Sequence, residues 1–263
     1  MEIIDIHTHI FPDHIAHKAI PDISKKADWP AQLDGTVGDL RRSMRKAGVT
    51  RSVVQPVATK CSQVRSINNW VASVADDEII SFGSFHPDFE NFEDEIARIK
   101  GLGLKGLKIH PEYQQCWPDD EAFYPIYDEL VENDMIVLFH CGVDLGVPPP
   151  LHSSPRAIAS IMGRFPDLKV IGAHLGGYQQ WDEVEEYLIG KNIYLETSFA
   201  VGHINDDRFV KLINEHGIDL VLFGTDSPWK DQKSEVEKIF SLDLSTGEKE
   251  KILSTNARAL LQM

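Results

Sequence analysis

The chain has 263 residues, 42% hydrophobic and 25% charged, a balance that supports a packed core and excludes wholesale disorder and fibrous repeats. Lysine and arginine number 26 against 41 aspartates and glutamates, a formal net charge of −15, and an acidic surface repels a phosphate backbone, so nucleic acid is not an expected partner. No run approaches the roughly 18 apolar residues of a membrane-spanning helix. Met1–His9 has neither a cationic start nor a cleavage site, so the expected location is cytoplasmic.

In chain order, eight short runs rich in β-branched residues read as strands: Ile3–His7, Arg51–Val57, Ile79–Phe85, Gly106–Ile109, Ile136–His140, Lys169–Ala173, Ile193–Thr197 and Leu220–Gly224. Between them lie amphipathic stretches with apolar residues three and four apart: Thr36–Lys46, Ser62–Ala75, Phe92–Lys100, Glu121–Glu132, Pro155–Arg164, Gln180–Ile189, Asp207–Glu215 and Gln232–Phe240. Thr36 and Ser62 are placed to cap helices, and Gly48, Gly101 and Gly217 to end them. Thr246–Gln262 reads as one or two closing helices. Eight strand–helix units without a Ser-, Pro- or Gly-rich linker predict one domain over residues 1–263, a parallel (β/α)8 TIM-type barrel. Cys61, Cys116 and Cys141 form no paired motif and read as free thiols.

In such a barrel the carboxyl ends of the strands form one rim, and the loops that carry chemistry converge there. The first predicted strand ends in His7-Thr8-His9. Alternation places His7 and His9 on one face, with Asp5 below them on the same face. The fifth ends in His140, the sixth in His174 followed by Leu175-Gly176-Gly177, and the eighth runs into Asp226. Each feature alone is ordinary, since a strand-end histidine often caps a loop and an aspartate often makes a turn. Four strands that each deliver a ligand type to one rim point to a metal centre. Neutral imidazoles with one carboxylate suit Zn2+, with Mn2+ as the second candidate, and match Ca2+ poorly.

Asp5-Ile6-His7-Thr8-His9, His140-Cys141-Gly142, Ala173-His174-Leu175-Gly176-Gly177 and Phe223-Gly224-Thr225-Asp226-Ser227-Pro228 together resemble the amidohydrolase superfamily. They are most similar to its amidohydrolase-2 branch, which includes aminocarboxymuconate-semialdehyde and resorcylate decarboxylases. The resemblance implies a distorted (β/α)8 barrel with one or two divalent ions at the rim. It implies His7, His9, His140 and Asp226 as ligands, with Asp226 also moving a proton. His174 would ligate a second ion or act on the substrate. Lys108 on the fourth strand has three readings: a carboxylated bridge between two ions, an ammonium that binds a substrate carboxylate, or a structural lysine paired with an acid.

His110, Arg156 and Trp229 are further candidates for substrate contact, and the Pro148–Pro150 run is expected to hold His152 and Arg156 near the mouth. Glu196 is a candidate for orienting a ligand histidine. The leading expectation is hydrolysis of an amide, ester or lactone in a small metabolite. In that scheme a metal-activated water attacks the carbonyl, Asp226 acts as base and His174 stabilises the oxyanion. Non-oxidative decarboxylation of a small aromatic or unsaturated acid on the same residues is the alternative, and the compact chain tilts the reading toward hydrolysis. A TatD-like nuclease is disfavoured by Lys108 and His110, where those proteins carry a glutamate, and by the acidic charge. The expected partner is a small molecule, and a homodimer is expected only as the commonest assembly.

Overall fold

Short apolar runs with alternating side chains form strands here because each can bury one face inside a barrel and the other beneath helices. The computed structural model describes residues 1–263. Its strands are β1 (Ile4–Thr8), β2 (Arg51–Val54), β3 (Ile79–Ser81), β4 (Gly83–Ser84), β5 (Gly106–Ile109), β6 (Ile136–Phe139), β7 (Lys169–Gly172), β8 (Tyr194–Glu196) and β9 (Val221–Leu222). Neighbours are parallel throughout, in the orders β1-β2-β3 and β4 through β9. The two sheets meet twice. Between β3 and β4, Phe82 N–H donates to Val54 O at 3.0 Å and Lys105 N–H to Ser81 O at 3.2 Å; on the other side, Ile6 N–H donates to Phe223 O at 2.8 Å. The third predicted strand is thus one passage of chain interrupted at Phe82.

The main helices are α1 (Asp13–Ala27), α2 (Val37–Ala47), α3 (Val64–Val74), α4 (Phe92–Gly101), α5 (Pro111–Gln114), α6 (Tyr124–Glu132), α7 (Pro155–Arg164), α8 (Trp181–Tyr187), α9 (Asp206–His216), α10 (Gln232–Ser241), α11 (Thr246–Glu250) and α12 (Asn256–Leu261). Thr36 caps α2 by accepting from Asp39 N–H at 3.1 Å, and Ser245 and Glu248 form a reciprocal capping box on α11. Ser62 does not cap α3. The chain enters through a 3-10 turn, Cys61–Gln63, where Gln63 Oε1 accepts from the backbone of Thr59 and Lys60. Helix α1 was not among the predicted helices. No helix is long and apolar enough to cross a membrane.

Two apolar clusters hold the layers together. A large one lies between strands and helices and includes Leu107, Ile109, Val137 and Phe139. A smaller one fills the barrel, where Ile4, Ile6, Val53, Phe82, Leu138, Ile171 and Leu222 meet Ala257, Leu260 and Leu261 of α12. Helix α12 therefore plugs the end where the strands begin, and truncating Leu260 to alanine would cost about 2–5 kcal/mol.

Alternation then dictates the next layer. Inward register runs Gly106, Lys108, His110 along β5; Ile136, Leu138, His140 along β6; and Tyr194, Glu196, Ser198 along β8. The apolar plug thus gives way to a polar floor at the rim.

β1 breaks this alternation, contrary to the expectation that Asp5 lies below His7. Ile4 and Ile6 are the inward residues, and a register shift between Asp5 and Thr8 turns His7 inward as well. Asp5 faces the helical layer, where its carboxylate accepts from Thr225 Oγ1 at 2.6 Å and from Gln232 Nε2 of α10 at 2.7 Å. Burial pushes this carboxyl up to about 7 against those hydrogen bonds. Its backbone bridges, to His7 N–H and Thr225 N–H, tie the first ligand strand to the loop that carries Asp226.

Candidate metal centre and substrate cavity

The site is organised by one buried carboxylate. Glu196 accepts four hydrogen bonds: His7 Nδ1–H at 3.0 Å, Ser198 O–H at 2.6 Å, His174 N–H at 2.8 Å and Ser198 N–H at 2.7 Å. A carboxylate can only accept, so the His7 proton sits on Nδ1 and its Nε2 carries a bare lone pair. Ser198 spends its proton on Glu196, so its Oγ accepts from His174 Nδ1–H at 2.8 Å. His174 Nε2 is then an acceptor for His140 Nδ1–H at 3.1 Å, which leaves His140 Nε2 bare. The same orientation suits metal-binding histidines, whose far nitrogen is held by a carboxylate. Gly224 is required beside this carboxylate, because a Cβ there would collide with Glu196 Oε2.

The lone pairs converge. His7 Nε2 lies 3.1 Å from His9 Nε2 and 3.5 Å from Asp226 Oδ1, and His9 Nε2 lies 3.0 Å from Asp226 Oδ1. At most one proton, on His9, is available to this triangle. Asp226 Oδ1 and His140 Nε2 are both buried without a hydrogen-bond partner, although such groups normally find one. Around an ion bonded at about 2.0–2.2 Å, the edges of a tetrahedron are about 3.3–3.6 Å, close to the spacing seen. The residues therefore fit a divalent cation. Three donor groups are present: His7–His9–Asp226, His7–His174–Glu196 and His110–His140–Asp144. The expected ligands do not fall into one set. His140 groups with His110, on which its ring stacks at 4.1 Å, and reaches the others through His174.

Protonation follows from burial. Desolvation holds His7, His110 and His140 well below the usual imidazole range, aided for all three by Lys108 and neighbouring rings, so each is neutral and able to ligate. Burial opposes ionisation of Asp226, but His7, His9 and His174 outweigh it and the carboxyl titrates below its usual range. His174 and Asp226 both adopt left-handed backbone, with φ of 59° and 61°, a strain that commonly gathers at functional sites.

Lys108 is only 1% exposed. Burial brings its ammonium down to about 8. Its Nζ lies 3.4 Å from His7 Nε2, and no carboxylate is within ion-pair distance. The structural reading of this lysine, an acid partner in the barrel interior, is thus not what the structure contains.

These groups form the floor of a cavity of about 810 Å3 whose lining includes His110, Tyr113, Tyr178, Phe199 and Trp229. Arg156 does not reach it. Pro155 opens α7 behind the Ser154 cap, which leaves Arg156 exposed in the first turn and outside the lining. His152 is buried against Glu112, its Nδ1 2.8 Å from Oε2, and is also absent from the lining. Sequence reasoning missed Asp144, whose Oδ2 lies 3.4 Å from His110 Nε2; its only signal is its position four residues after His140. It also missed Gln55, the residue just after β2, which lines the cavity and whose amide is fixed by donation to Ile6 O at 2.9 Å.

A parallel α/β barrel with a metal-competent, carboxylate-organised rim defines a class of metal-dependent enzymes. The amidohydrolase family model matches residues 4–263. The chain belongs to the amidohydrolase family, in its amidohydrolase-2 branch. No curated protein matches it. Among solved structures it is similar to a TIM-barrel protein of Bordetella bronchiseptica at 21% identity and TM-score 0.80, covering 100% of this chain and 99% of that one. It is similar to 2,6-dihydroxybenzoate decarboxylase from Rhizobium at 16% identity and TM-score 0.76, covering 100% and 99%. A third is 5-carboxyvanillate decarboxylase of Novosphingobium aromaticivorans, complexed with manganese and 4-hydroxy-3-methoxy-5-nitrobenzoic acid, at 19% identity and TM-score 0.76, covering 99% and 96%. At these identities the likeness establishes the TIM-barrel fold.

Proposed function

We propose that this protein is a metal-dependent decarboxylase of a small aromatic or unsaturated carboxylic acid. The observation that carries the reading is Lys108, a buried ammonium that faces the cavity with no carboxylate partner. A buried charge that contacts only a His7 nitrogen, and feels Asp226, Glu196 and Asp144 only beyond ion-pair distance, is costly, and a substrate carboxylate in direct contact offsets that cost. A neutral ester, amide or lactone does not. Two of the structurally similar proteins are decarboxylases of aromatic acids, and their likeness outweighs the compactness that tilted the sequence toward hydrolysis.

A bound divalent ion, Zn2+ by donor chemistry or Mn2+ by analogy with the manganese-bound decarboxylase, supplies positive charge for substrate oxygens. His7, His9 and Asp226 would hold it, and His140, whose Nε2 has no hydrogen-bond partner, is a further donor on the floor. Lys108 orients the substrate carboxylate over the floor. Tyr178, Phe199 and Trp229 exclude water from it and give an aromatic ring apolar walls. In the reaction the bond from ring carbon to carboxylate breaks, its electron pair stays on the carbon, CO2 leaves, and that carbon takes a proton. Asp226 and His174 are the floor groups placed to hold and return this proton.

The test is competitive turnover on metal-loaded protein, offering hydroxybenzoates and unsaturated acids beside their esters and lactones. CO2 release from acids alone is the expected result. Acid release from esters or lactones, with no CO2 from any acid, would establish hydrolysis instead.

A further inference from the structure

The cavity is larger than its floor needs. A single aromatic ring with one carboxylate covers the polar base, whereas about 810 Å3 lies in the upper part of the roughly 300–1,000 Å3 range that encloses drug-sized ligands. The remaining space runs outward between two helices, α1 and α3.

Helix α3 has two faces. Val64, Asn68 and Val71 are buried toward the barrel, and Asn68 anchors the helix by donating to Ser84 O at 3.1 Å and accepting from Ser84 N–H at 2.7 Å. Its other stripe, Ser66, Ile67 and Trp70, follows helical spacing of three and four and, with Gln63 of the turn before it, lines the cavity. Helix α1 stands opposite, anchored through buried Ala16 and Ile20. It turns Ile15, 42% exposed, and Ile23 toward the same space. Ile15 is exposed and Ile23 and Ile67 are half-buried, and none of the three packs on the core, whereas Trp70 packs on the core with one side and lines the cavity with the other; apolar lining of this kind marks a ligand groove. The carboxyl groups that line the cavity, Asp144 and Asp226, belong to the floor; at the mouth Lys26 is paired with Asp22 at 2.9 Å. The groove therefore offers apolar surface without an unpaired charge.

We propose that the substrate is a carboxylic acid with an uncharged apolar arm, and that this arm lies in the groove between Ile15 and Ile23 of α1 and Ile67 and Trp70 of α3. The inference rests on the floor being a carboxylate site. It excludes a bare single-ring acid as the best ligand and names a longer or bicyclic one.

Non-reacting acids test it without requiring turnover. Butanoate, hexanoate and octanoate, and benzoate beside 4-butylbenzoate, are titrated into divalent-loaded protein, with the tryptophan fluorescence of Trp29, Trp70 and Trp229 reporting binding. In a half-open groove, the four added methylenes of octanoate over butanoate are expected to tighten binding roughly tenfold or more. That gain should fall below about threefold in Ile67→Ser, which removes apolar lining, and in Thr59→Trp, which fills the groove from an exposed loop position. Thr59→Trp keeps the test sound if Ile67→Ser does not fold. Affinity that stays flat along the series, or a full gain retained in both variants, would overturn the groove assignment while leaving the floor intact. Failure of every acid to bind would overturn the carboxylate floor, and this inference with it.

Discussion

The floor and the mouth of one cavity are built on different rules. At the floor every reactive side chain stands on a strand end or in the turn after it, and its orientation is set by a chain of hydrogen bonds from Glu196 through Ser198 to His174 and His140. At the mouth much of the lining comes from helix faces, on α1 and on the outer stripe of α3. Strand register thus fixes where the floor groups point, whereas the proposed arm of the substrate would meet helices.

Breaking the floor should have the largest effects. Asp226→Ala removes the proposed ligand oxygen and proton carrier together, and turnover should drop by about 10²–10⁴-fold with the far-ultraviolet circular dichroism unchanged. Chelation should abolish activity just as reversibly, with the fold retained, because the core is made by the apolar clusters and not by an ion. Lys108→Met tests the carboxylate reading from two sides. The loss of a charged hydrogen bond of about 1.5–3 kcal/mol should raise the KM for acids roughly 10- to 100-fold. Removal of an unpaired buried ammonium should leave the melting temperature equal or higher.

Glu196→Gln keeps the shape but replaces an acceptor oxygen with a donor, which disturbs the proton order of His7 and His174; metal affinity by chelator competition should fall about 10- to 100-fold. At the small end, Arg156→Ala should leave KM within about twofold, since the residue is exposed and outside the cavity.

What the sequence made legible follows the same division. That His7, His9, His140, His174 and Asp226 line one cavity was legible because strand ends in a barrel share one rim, so a linear pattern maps onto one place in space. The orientation of Asp5 was not legible, because the register shift after it, which turns His7 inward and out of phase with Asp5, leaves no mark in the residue types. Helix α1 was missed because Pro21 interrupts its apolar spacing and because Ile15 and Ile23 face the cavity and not the core. Asp144 sits in a loop whose path alternation does not constrain. The proposal of decarboxylation over hydrolysis leans on whether an acid pairs with Lys108, a relation among strands far apart in sequence and so not legible there.

The most direct test of the floor as a metal and carboxylate site is anomalous diffraction from crystals of the manganese-loaded protein soaked with a non-reacting aromatic acid. An ion is predicted about 2.0–2.2 Å from His7 Nε2, His9 Nε2 and Asp226 Oδ1, with the acid's carboxylate against Lys108 Nζ. No anomalous peak at that triangle, or a carboxylate bound away from Lys108, would contradict the account.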